Sequence, residues 1–136
     1  MIVVDTKVIG YLFLSSPRSE QVESVLQKDG TWVAPLLWRS EFRNVLAVYL
    51  RKGFLDLEQA RQIMEKALDL MRGGEFDVPS WEVLRLAAES GCSAYDCEFI
   101  ALAKDSLVSL VTVDRQLLDA FPGIAVPLDA FLFSNH

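Results

Sequence analysis

A three-layer α/β/α sandwich around a mainly parallel sheet is the fold class that three observations predict. Short apolar runs of strand type alternate with longer helical patterns along all 136 residues. The spacers between runs are long enough for crossover helices, and crossovers make parallel sheets. Half of the residues are hydrophobic, with only seven Gly and five Pro, as a packed core requires. Residues 1–136 read as a single domain, a length that suffices for one substantial core.

The elements follow in order. The strand candidates are Ile2–Val4, Trp32–Ala34, Phe76–Val78, Val108–Val113 and Ile124–Val126. A helical stretch Thr6–Leu14 is followed by a second, for which Ser16 and Pro17 read as the start, because proline at a first helical position loses nothing by lacking an N–H. Asp56 with Gln59 and Ser93 with Asp96 read as capping boxes, and Gly53 and Gly91 suit helix ends. In such sheets ligands bind beyond the carboxyl ends of the strands, where the strand order reverses.

Composition narrows the class further. No apolar run approaches the ~20 residues of a membrane span, and the residues ahead of Val8 lack the basic region of a secretory leader. Cys92 and Cys97 have no zinc-type spacing with the single histidine, His136, and fit a reducing, cytoplasmic setting. The net charge of −6 argues at first against a nucleic-acid partner, unless the acids are gathered in one pocket.

Four acids occupy positions that call for explanation. Asp5 and Asp114 each end an apolar strand run and would emerge at the same rim of a parallel sheet; either one could simply cap the following helix. In LLWRSEFRNVLAVYL, a helix from about Leu37, Val48, Glu41 and Val45 fall near 20°, 40° and 80° at about 100° per residue. That places Glu41 inside an apolar stripe, with Arg39, Arg43 and Ala47 opposite, where an unpaired carboxylate is costly. In SAYDCEFIALAKDSL, Asp96 shares a face with Phe99, Ile100 and Ala103, while Glu98 falls nearer the edge with Asp105. Carboxylates drawn together raise one another's pKa, and a divalent cation relieves the repulsion. An oxygen-only donor set selects Mg²⁺ or Mn²⁺. One such ion, or two about 4 Å apart, serves phosphodiester hydrolysis by water.

The ordered series VVDT, PLLWRSEFRNVL, SAYDCEFIALA and LVTVDRQLL resembles the PIN-domain ribonucleases, most closely the VapC-type toxins of toxin–antitoxin pairs. The resemblance spans the whole chain. It implies a metal-dependent RNA endonuclease in which Asp5, Glu41, Asp96 and Asp114 form the catalytic acidic metal pocket. Thr6, Asn44 and Thr112 would be its supporting polar residues, Thr112 orienting Asp114 or the attacking water. It further implies an RNA substrate, a cognate antitoxin bound in a groove, and a homodimer. The apolar segments Gly10–Leu14 and Leu128–Phe133 are the surface offered for such contacts, with core as the ordinary explanation.

Position 7 departs from the pattern, which there has a small hydroxyl or amide. Lys7 is open to three readings: a solvated lysine without a role, a contact to a substrate phosphate, or a cation that competes with the metal. The last would make the chain a catalytically weak or inactive partner-binding module of the same fold. Setting the four acids aside leaves the remaining surface only mildly acidic. Arg39, Arg43, Arg51 and Lys52 lie on the outer side and end of the Glu41 helix, and Lys104 and Arg115 flank two other motifs. Of these, Arg43 and Arg115 are the preferred phosphate contacts besides Lys7. A phosphoacceptor domain would want paired acids early in the chain, and a haloacid-dehalogenase-type phosphatase would want D-x-D-x-T. DTKVI satisfies neither.

Overall fold

The structure is a computed structural model and describes residues 1–135; His136 lies outside the described residues. The chain opens with β1 (Ile2–Val4), three side chains buried completely. Asp5 ends the strand by turning the backbone into α1 (Thr6–Phe13), its carboxylate accepting the Val8 N–H at 3.0 Å. Next come α2 (Ser19–Lys28), β2 (Trp32–Pro35), α3 (Leu37–Arg51), α4 (Leu57–Leu70) and β3 (Glu75–Phe76). The remainder is α5 (Ser80–Ser90), α6 (Ala94–Ser106), β4 (Leu110–Val111), α7 (Arg115–Ala120), β5 (Ala125–Val126) and α8 (Leu128–Phe133).

All strand pairs are parallel, in the order β3-β2-β1-β4-β5. The chain therefore moves outward from β1 through β2 to β3, then returns to the other side of β1 to form β4 and β5. The order reverses between β1 and β4, which makes their carboxyl ends the ligand-binding crevice of this topology. Because parallel crossovers are right-handed, the two directions of travel send helices to opposite faces. On one face α1 packs against α2, α3 and α4, and α2 against α8; on the other α6 lies across β1, β2 and β4 and carries α5.

The core is continuous through the sheet, with Trp38, Phe42, Phe99 and Phe131 among its largest fully buried side chains. Each contributes roughly 1.5–3 kcal/mol by leaving water. Two glycines are geometrically required. A Cβ on Gly74 would stand 2.3 Å from the Trp32 carbonyl oxygen, where β2 and β3 approach. Gly91 ends α5 with φ of 75°, in the left-handed region.

Several expectations need correction. The second helix begins at Ser19 and not at Ser16, because Ser16–Arg18 form a turn whose Ser16 N–H donates to Ser19 Oγ at 3.0 Å. Three strands are shorter than the apolar runs: β4 keeps only Leu110–Val111, β5 only Ala125–Val126, and β3 starts one residue before Phe76–Val78 and ends at Phe76. In contrast, β2 runs one residue farther, to Pro35. The Asp56–Gln59 capping box is complete. At Ser93 only half forms, the Ser93 hydroxyl accepting the Asp96 N–H at 3.1 Å. Gly10–Leu14 and Leu128–Phe133 mostly feed the core. The large apolar side chains left exposed include Leu36, Phe76, Trp81, Leu84, Tyr95 and Phe133. Among the described residues no helix is long and apolar enough to cross a membrane.

Candidate functional site

The register of β1 against β4 builds the site. Val4 stands opposite Val111, so the next residues outward, Asp5 and Thr112, are neighbours at the reversal point. Thr112 is fully buried, and its hydroxyl donates to Asp5 Oδ2 while accepting the Asp114 N–H at 3.0 Å. One hydroxyl thus ties the two strand-ending acids together. Asp114 caps α7, its Oδ1 taking the N–H groups of Gln116 and Leu117 at 2.9 and 3.2 Å. The capping roles of Asp5 and Asp114 are therefore real, and they coexist with a place in the cleft.

Helices supply the other two acids. Thr6, the first residue of α1, donates its hydroxyl to Glu41 Oε1 at 2.7 Å. Asp96, in the first turn of α6, completes a small cleft of about 80 Å³ lined by Asp5, Thr6, Lys7, Glu41, Asp96, Phe99, Asp114 and Leu117. Four carboxylates from four separate elements converge there. Glu41 is not inside the buried stripe of α3, which runs through Trp38, Phe42 and Leu46. It lies at the stripe's margin, half-buried, where its head can reach the cleft.

Burial dominates the electrostatics. It pushes the Asp5 carboxyl up to about 6 from 3.8, helped by the Asp114 charge and opposed by the Thr112 hydroxyl, the Val8 N–H and Lys7. Glu41 is raised by burial and by Asp96, against the Thr6 hydroxyl. Asp96 is raised by burial and by Asp114, against the Ser93 hydroxyl and Lys7. Lys7 is exposed at the rim and favours the charged forms of Asp5 and Asp96, yet it lies within ion-pair distance of no carboxylate among the described residues.

Other candidates fall outside. Asn44 is exposed and does not line the cleft. Arg43 and Arg115 are also exposed and do not line it, Arg43 donating its Nε to the Arg39 carbonyl at 3.1 Å. Arg39 is not a free surface cation, because Glu75 holds it through two hydrogen bonds. Lys104 pairs with Glu82 at 3.3 Å. Glu98, read from the sequence as lying nearer the helix edge and not taken as a site residue, has its pKa raised by burial and the charges of Glu41 and Asp77, so it stands beside the acid cluster. Its half-turn offset from Asp96 concealed this. A roomier surface hollow, about 550 Å³, lies at the opposite end of the sheet and is bordered by Met1, Lys104 and Leu107. Its size does not compensate for its lack of convergent acids.

The donor set suits a hard cation. It is all oxygen, and Oε2 of Glu41 and Oδ2 of Asp114 are left without a protein donor among the described residues. No three acid, His or Cys groups among the described residues stand close enough to share one ion as they are placed. Zinc, which takes three or four direct protein ligands, fits poorly. Magnesium, which keeps several waters and takes one or two carboxylates, fits.

Comparison with known proteins agrees with this architecture. The PIN domain model matches residues 2–122. Ribonuclease VapC3 of Pyrobaculum aerophilum is 31% identical over 131 residues, covering 93% of this chain and 98% of that one. The crystal structure of PAE2754, also from Pyrobaculum aerophilum, superposes with a TM-score of 0.76 at 26% identity, over 96% of this chain and 92% of that one. A toxin–antitoxin complex from Klebsiella pneumoniae contains a chain of the same fold, with a TM-score of 0.68 at 16% identity, over 94% and 98% of the two chains. With a family model matched over most of its length and a close-length relative above 30% identity, the chain belongs to the PIN domain family.

Proposed function

We propose that this protein is a Mg²⁺- or Mn²⁺-dependent ribonuclease that cuts RNA phosphodiesters internally, and that it is the toxin of a VapBC-type toxin–antitoxin pair. The observation that carries the reading is the meeting of Asp5, Glu41, Asp96 and Asp114 at the strand-order reversal, in a chain related to a protein named Ribonuclease VapC3.

One or two of these carboxylates would hold the cation directly and the others through its waters. When bound, it supplies Lewis-acid polarisation of the phosphoryl group and a water activated at neutral pH. The protein's own groups prepare the place. Thr112 links Asp5 to the Asp114 backbone, and Thr6 holds Glu41, so these acids are oriented toward the cleft before a cation binds. No side chain has to act as nucleophile or histidine base. Lys7 at the rim offers a point charge to a substrate phosphate. Arg43 and Arg115 lie outside the cleft and would serve only a longer RNA track.

Partners follow from the same reading. A basic antitoxin side chain would compete for the acids. Trp81 and Leu84, one turn apart on α5 and exposed, offer apolar surface to a second copy. Two free thiols suit a reducing, cytoplasmic setting. A weak or inactive partner-binding module is the second reading, favoured by the rim position of Lys7 and by the spacing of the acids. Cleavage of structured RNA with Mg²⁺ or Mn²⁺ decides between them, comparing the native chain with Asp96→Asn and Lys7→Ser. Metal-dependent cleavage that Asp96→Asn abolishes is the expected result. Three equally inert proteins with undetectable metal binding would end the nuclease reading.

A further inference from the structure

We infer that a second pocket, next to the acidic cleft, receives the base of the nucleotide adjoining the scissile phosphate; this rests on the nuclease reading above. The pocket measures about 110 Å³ and lies between α1 and α3. Thr6 and Lys7 line both it and the acidic cleft, so the two adjoin across the first turn of α1. Tyr11 stands four residues beyond Lys7, about 6 Å farther along the helix axis, which is the scale of the step from a phosphate to its own base. Gly10 and Tyr11 form one wall, and Val45 and Tyr49 the other.

The chemistry suits a heteroaromatic ring attached to a phosphate. The lining is mostly apolar and includes two aromatic rings, on which bases stack without strict sequence demands. Neither tyrosine hydroxyl has a hydrogen-bond partner among the described residues, so both are available to the edge of a base. Lys7 belongs to the lining of both pockets and forms no ion pair among the described residues, so its ammonium is free to meet the phosphate. A partner helix needs a long groove of repeated apolar anchors. A single pocket of this size with a cation at its mouth matches one nucleotide better.

The test is calorimetric titration of the four nucleoside 5′-monophosphates, with ribose 5-phosphate as the probe lacking a base. At least one nucleotide should bind about tenfold more tightly than ribose 5-phosphate, as base stacking allows. Tyr49→Leu should remove that advantage. Gly10→Ala should reduce it severalfold, and it is safe for the fold: the added Cβ meets only Phe42, at 3.8 Å, and alanine favours a helix. If Tyr49→Leu does not fold, Gly10→Ala decides alone. Equal binding of ribose 5-phosphate, or an advantage untouched in the folded variants, overturns the assignment. So does saturation of the pocket by an apolar peptide in a protein that shows no preference for bases. Base-blind binding with intact Mg²⁺-dependent RNA cleavage sinks the base pocket alone. Base-dependent binding without cleavage upholds the pocket and sinks the nuclease reading.

Discussion

The acids of the cleft and the arginine-paired acids elsewhere on the fold are the same residue types under opposite electrostatics. Outside, Glu58 is drawn below its ordinary pKa first by hydrogen bonds from Arg61, Glu82 by Arg85, and Glu75 by Arg39. Inside, Asp5, Glu41 and Asp96 are pushed up, in each case first by burial. Their hydrogen-bond donors are hydroxyls and backbone N–H groups, which orient a carboxylate without neutralising it. Stability alone would have given the buried acids the guanidinium partners. Withholding those partners leaves a charge for something else to meet, and this is the physical mark of a site.

The sharpest way to break the comparison is through activity. Asp96→Asn keeps the shape of the side chain and removes a charge repelled by Asp114. RNA cleavage should fall by at least about 100-fold, since even groups that only support metal ligands cost about 10–100-fold when lost. The fold should be as stable as before, or more so, without metal. A variant that is both active and destabilised would make Asp96 a structural acid like those outside.

The next effect is on stability against pH. Asp5 ionises near 3.8 when unfolded and near 6 in the fold. The native state therefore holds an extra proton between those values. The contribution is full below about pH 3.8 and is lost as pH rises through 6, about 3 kcal/mol in all. Glu41, Asp96 and Glu98 shift in the same direction. The outer glutamates have the opposite sign, stabilising above their unfolded pKa and failing as the pH falls. Urea unfolding from pH 4 to 7 without divalent cation should show the loss, and Asp5→Asn should flatten it. Added Mg²⁺ should restore stability at pH 7. A native slope that Asp5→Asn leaves unchanged would contradict the burial of that charge.

Thr112→Val tests how the cleft is held. It strips the hydroxyl from a fully buried residue and leaves Asp5 Oδ2 and the Asp114 N–H without that partner. A loss of about 1–3 kcal/mol is expected in denaturant titration. Thr112→Ser, which keeps the hydroxyl, should recover most of it. Equal losses in both would assign the effect to the methyl group and its packing.

How far the sequence revealed this follows from the range of each interaction. The strand positions, the Asp56–Gln59 box and the Gly91 terminus are local, and the structure reproduces them, with the later strands trimmed. Asp5 and Asp114 were legible because a carboxylate closing a buried strand is conspicuous, and parallel strands put both at one rim. Glu41 was placed in the wrong part of its helix. The wheel centred the apolar stripe on Val45 and Val48, whereas the aromatic pair Trp38 and Phe42 sets the buried side. Arg39 looked like a free cation because its partner, Glu75, is 36 residues away on another element. Only the β2–β3 pairing brings them together. Ser16–Pro17 gave a valid start signal, but a turn through Arg18 used it first.

The smallest effect is the most direct comparison, because Glu75 and Glu41 accept the same substitution with opposite consequences. Glu75→Gln removes the charge facing Arg39 but keeps an oxygen for the Trp38 indole, which donates at 2.8 Å. Arg39 is substantially exposed, so water replaces much of what the pair supplied. The melting temperature should fall slightly, by less at high salt, with RNA cleavage unchanged. Glu41→Gln keeps the Thr6 hydrogen bond and removes a charge that burial and Asp96 oppose. Its melting temperature without metal should hold or rise while cleavage is lost. If the two variants lost activity alike, the presence of an arginine partner would no longer separate structural acids from working ones. If Glu41→Gln alone lost it, with its stability intact, the separation would rest on one matched pair of glutamates.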